Sequence, residues 1–78
     1  MSTADARVRE LGIRLDQLER DVSRAEELRG RGLISEEDLE RVRTERDATL
    51  ALRDLAVALI RDEDLALAEL LAHDIQHD

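Results

Sequence analysis

The sequence predicts an all-α fold: an antiparallel helical hairpin plus a C-terminal helix or helix extension, assembling as a homodimeric helical bundle. Three observations predict it. Val8, Leu11, Leu15, Leu18, Val22 and Ala25 alternate spacings of three and four, so they share one helical face that a second helix must cover. The chain has no Pro, Phe, Tyr or Trp and only three Gly. Nothing interrupts long helices, and an aliphatic core suits helix-on-helix packing better than a sheet. Residues 48–60 and 65–75 are apolar on nearly all sides, more than one partner helix can bury.

All 78 residues are read as one helical domain. Helix 1 is expected over about residues 3–31, with Ser2 or Thr3 as N-cap and Asp5 in the capping-box relation to Ser2. Ile13 falls on its outer face, where it marks a possible second contact surface. A tight turn follows at 32–35. With Gly32 as the left-handed residue past the helix end, Leu28 and Leu33 take the apolar positions of a Schellman ending. Ser35 is the N-cap of helix 2, expected over about 36–61, with Glu36 and Glu37 in its first turn and Asp38 at N3. Ile34 and Leu39 occupy the hydrophobic-staple positions. The stretch from Leu28 to Leu39 resembles the turns of the short C-terminal helical domain called SHOCT and of the α-hairpin of periplasmic adaptor proteins. That resemblance is confined to the turn, and no function is carried over from it.

So short a connection favours adjacent antiparallel helices. Placing Leu28 opposite Leu39 pairs Ala25 with Val42, Leu18 with Thr49, Leu15 with Leu52, Leu11 with Leu55 or Ala56, and Val8 with Leu59. Val22 meets Glu45 and Arg46, which predicts loose packing in the turn-proximal half. Arg61-Asp62-Glu63-Asp64 separates the two apolar stretches. It reads either as a kink leading to a third helix over about 63–75, or as a polar turn of one long helix. A continuous helix from 36 to 75 would reach ~60 Å and overhang helix 1. Too thin a core and too much apolar surface together point to a homo-oligomer, with a dimer favoured. The residues expected to carry that contact, or to dock a protein partner, are Leu50, Val57, Ile60, Leu65, Leu67, Leu70, Leu71 and Ile75.

The net charge of −8 is uneven. Residues 1–34 carry seven Arg and seven acids; residues 35–78 carry five Arg and thirteen acids. This acidity opposes direct nucleic-acid or anionic-lipid binding, and no aromatic platform exists for base stacking. No apolar run reaches membrane-spanning length, and no signal peptide is visible behind Met1. A cytoplasmic, soluble protein is expected. The absence of Cys excludes disulfides and thiolate-ligated zinc.

His73 and His77 lie four residues apart, the spacing of a half-site for zinc or nickel, with Glu69, Asp74 and Asp78 nearby. The competing reading is a polar helix end, where His is favoured by the helix dipole. Catalytic chemistry lacks its parts. The only serines are Ser2, Ser23 and Ser35, and there is no Lys or Cys nucleophile. Gly30-Arg31-Gly32 is too short for a phosphate loop, and helix 2 carries no inward Glu-x-x-His for a carboxylate-bridged metal centre. Arg29, Arg31, Arg41 and Arg43 form a basic spot at the turn, but six acids surround it and local ion pairing is its expected use. The sequence therefore predicts no enzyme and no cofactor. It predicts a non-catalytic protein–protein interaction module. The alternatives are an acidic nucleic-acid mimic that inhibits a DNA- or RNA-binding protein, and a metal-responsive dimer built on the C-terminal histidines.

Overall fold

Two helices lie side by side in a computed structural model that describes residues 3–76, with side chains described for 3–73. Helix α1 runs Thr3–Gly30 and helix α2 runs Glu36–Gln76. Ser2 and His77 lie outside the described residues, as does the side chain of Ile75.

The turn is built by local chemistry. The Leu33 N–H donates to the Leu28 carbonyl and the Gly32 N–H to the Arg29 carbonyl, each at 2.9 Å. Gly32 has φ 72°, the left-handed conformation that closes a Schellman ending. Leu33 itself stays 64 % exposed, so the backbone pattern forms while the expected apolar clasp leaves Leu33 largely in water. At the start of α2 the Asp38 N–H donates to Ser35 Oγ at 3.0 Å, and the Ser35 N–H donates to Asp38 Oδ2 at 3.3 Å. That reciprocal pair is a capping box.

The core is one thin row. Leu11, Leu15, Leu18, Val22 and Ala25 of α1 are buried against Leu39 and Thr49 of α2. Val22 is only 3 % exposed, so the turn-proximal half is closely packed rather than loose. Arg46, on the facing row, explains the difference. Its side chain is 30 % exposed and its Nε reaches Asp47 at 2.9 Å. An arginine stem can cover apolar surface while its head stays in water.

The expected pairing fails in the distal half. Leu52, Leu55 and Leu59 are 49, 57 and 52 % exposed, so they do not close the seam opposite Leu15, Leu11 and Val8. From Leu39 onward the α1-facing row of α2 recurs as Val42, Arg46, Thr49, Arg53, Ala56 and Ile60, with Arg43, Leu50 and Val57 also partly buried beside it. Each outward leucine precedes one of these by one residue and is therefore rotated ~100° off the seam. Level residues need not be facing residues. The capping box sets where Leu39 points, and the rigid helix propagates that phase.

Residues 61–64 stay helical, so α2 is one continuous helix and no third helix forms. With 41 residues against 28, α2 outruns α1 by ~20 Å. Every residue from Arg61 to His73 is exposed. The molecule measures 70 × 19 × 13 Å with a radius of gyration of 19.5 Å, against ~11–12 Å for a compact domain of this length.

Candidate functional site

The feature that stands out is the uncovered face and tip of α2. Its exposed residues fall into two sets. Ala48, Leu52, Leu55, Leu59, Ala66 and Leu70 follow one another at spacings of four, three, four, seven and four, and all are exposed. Those spacings keep them on one stripe, turned away from α1. Leu67 and Leu71 continue the α1-facing row of Ala56 and Ile60 beyond the point where α1 ends, and Leu65 lies on a third side. Leu65, Leu67, Leu70 and Leu71 are 54 to 61 % exposed. A helix bared all round in this way is normally covered by neighbours.

Among the described residues, seven of the nine large exposed hydrophobic residues belong to this one helix, the others being Ile13 and Leu33. The accessible area tells the same story. The chain exposes 6199 Å², about 1400 Å² more than the ~4800 Å² of a compact monomer of 8.9 kDa. Scattered single apolar residues on a surface are ordinary; a concentration on one face is not.

The residues named from sequence divide. Leu65, Leu67, Leu70 and Leu71 are gathered on the tip. Leu50, Val57 and Ile60 are half-buried, so the hairpin already covers part of them. The outward stripe through Leu52, Leu55 and Leu59 was missed, because those leucines were assigned to the hairpin seam. The same four-three-four spacing recurs in Thr49, Arg53, Ala56 and Ile60, so spacing alone does not separate the two faces.

The depressions along α2 are shallow and open, one lined by Val57, Ala58, Arg61 and Leu65 among others. Among the described residues no three His, Cys, Asp or Glu side chains gather to hold a metal ion; of the proposed histidine pair, His73 is described and His77 is not. Among the described residues no fully buried side-chain polar atom lacks a partner.

Among the described residues two ionisable groups are displaced from their ordinary values, and both shifts belong to the turn. The Ser35 hydroxyl and backbone N–H hold the Asp38 carboxyl below the usual carboxylate range, with Arg41 adding to the effect. A hydrogen bond to Glu40 holds the Arg43 guanidinium above its usual value, aided by Glu26 and Glu36. The basic spot at the turn is spent on such pairs. Arg29 meets Glu36 at 3.3 Å, Arg31 meets Glu27 at 3.0 Å and Arg41 meets Asp38 at 3.3 Å. No helix of the described residues is long and apolar enough to cross a membrane. No family model, curated protein or solved structure matches this chain.

Proposed function

We propose that this chain is a non-catalytic protein–protein interaction module, an adaptor, regulator or inhibitor that acts through a self-associating helical bundle. One observation carries the reading: the row of uncovered leucines along α2 from Leu52 to Leu71. The excess of about 1400 Å² per chain is more than the ~800 Å² that each partner removes from water in a standard specific contact. The chemistry of the surface supports the same conclusion. Many of its charged groups near the turn and along the hairpin form surface ion pairs or a helix cap, the ordinary uses of charge on a solvated helix.

The test is sedimentation equilibrium of the intact chain, followed through peptide-bond absorbance because there is no Trp or Tyr. The wild type is expected to be a dimer at micromolar concentration. The double variant Leu67→Glu, Leu70→Glu is expected to shift toward monomer while keeping its helical content, since both side chains are already in water within one chain. A wild type that stays monomeric and stable overturns the reading.

A further inference from the structure

We infer that a second copy of this chain packs antiparallel along the outer stripe of α2, with Leu59 near the twofold axis. The inference rests on the self-association proposed above and adds its face, its orientation and its register.

The face follows from exposure. The inner rows of α2 are occupied by α1 as far as Ile60, whereas Ala48, Leu52, Leu55, Leu59, Ala66 and Leu70 point away from it. This stripe spans 23 residues, or ~33 Å of helix. It is an apolar surface that the hairpin leaves open. A twofold contact must use the same patch on both copies, and a straight stripe on one helix can meet itself either parallel or antiparallel.

Charge favours the second. Within the span of the stripe Arg53 stands near one end and Glu69 near the other. Parallel pairing sets each beside its own kind. Antiparallel pairing about Leu59 brings Arg53 of one copy to within about one turn of the level of Glu69 of the other, at both ends of the contact. Exposed charges contribute little to affinity but are effective in setting orientation.

Side-chain size fits the same register. With Leu59 meeting Leu59, Leu52 comes level with Ala66 of the second copy and Ala48 with its Leu70. Large then opposes small at two levels on each side of the axis, which allows close approach of the two helices. Leu55 comes level with Glu63 of the second copy, where an acid's methylenes can lie on the leucine while its carboxylate stays at the rim.

The chain lacks Cys, so single substitutions are unique reporters. Under mild oxidation Leu59→Cys is expected to form a disulfide-linked dimer. Ala48→Cys alone is expected to give roughly tenfold less, and a mixture of Ala48→Cys with Leu70→Cys to link efficiently, because a disulfide needs Cα atoms within ~7 Å. Spin labels on Ala48→Cys, an exposed position, should lie ~33 Å apart along the helix axis rather than the ~10 Å of a parallel pair. Efficient self-linking of Ala48→Cys, or the short label distance, overturns the inference. So does a sedimenting dimer in which neither Leu59→Cys nor the mixture links; that result leaves self-association standing and assigns the stripe to another protein. A monomer in sedimentation overturns both.

Discussion

Arg14 of α1 donates to Glu45 of α2 across 2.6 Å, joining residues 31 apart in the chain. The pair ties the two helices on the flank where the outer stripe of α2 begins, one turn before Ala48. Both side chains are at least half exposed, 58 and 50 %, so the bond sits in water and adds little. Glu45→Ala is expected to cost less than ~1 kcal/mol, with the difference fading in high salt. Leu15→Ala, which empties part of the buried row, is expected to cost about 2–5 kcal/mol, a large share of the stability of a small domain. Urea denaturation of both variants checks the contrast. Equal losses would mean that the ion pair, not the leucine row, holds the hairpin shut.

The turn predicts its own pH dependence. Asp38 has its carboxyl held low by Ser35, so the unfolded chain, at ~3.9, binds a proton at higher pH than the folded chain does. Its contribution is therefore fully present above about pH 4 and is lost as pH falls through the lower folded value. The stability gap between wild type and Asp38→Asn should be widest near neutrality and close below about pH 4. Ser35→Ala should cost about 1 kcal/mol as a lost N-cap and raise the Asp38 titration midpoint, followed by NMR. A midpoint unmoved by Ser35→Ala would remove the hydroxyl as the cause.

Two glycines should respond oppositely to Ala. Gly12 lies within α1, and a Cβ there meets nothing within 4 Å. Gly12→Ala should stabilise the hairpin by about 1 kcal/mol through helix propensity. Gly32 has equal space but φ +72°. Gly32→Ala should destabilise by about 1 kcal/mol, because an L side chain is strained in that conformation. Thermal unfolding of the pair reads both signs at once.

Assembly through α2 makes stability depend on protein concentration. The melting temperature of the wild type should rise over a hundredfold increase in concentration, while that of Leu52→Glu, Leu59→Glu should not. Both leucines are half-exposed within one chain, so this variant should keep its hairpin, in contrast to Leu18→Glu, which places a charge in the buried row. A melting temperature independent of concentration in the wild type would contradict assembly.

The elements were legible where chemistry is local. The Leu28–Leu39 stretch contains its own stop and start signals, and the Schellman and capping-box bonds form among those residues. The α1 seam was legible too, since five of its six apolar positions are buried and their spacing admits one helical face. The outer stripe was harder to read. Residues 48–60 hold apolar side chains on nearly every side, so periodicity names no preferred face there, and pairing residues by level alone drew Leu52, Leu55 and Leu59 into a seam they do not join. Arg46 and Arg53 looked too polar for the facing row, yet long stems let them occupy it.

Local capping, helix propensity and the three-four repeat of α1 were enough to specify two helices and the tight turn between them, because each rests on residues within a turn or two of one another. Whether Arg61 to Asp64 breaks the second helix, and which side of it α1 covers, followed from how the helices meet. A charged tetrapeptide without Gly or Pro tolerates either outcome. The rotation of α2 is inherited from Leu39 at the capped turn and carried rigidly to its tip, and that rotation is what leaves the leucine stripe bare.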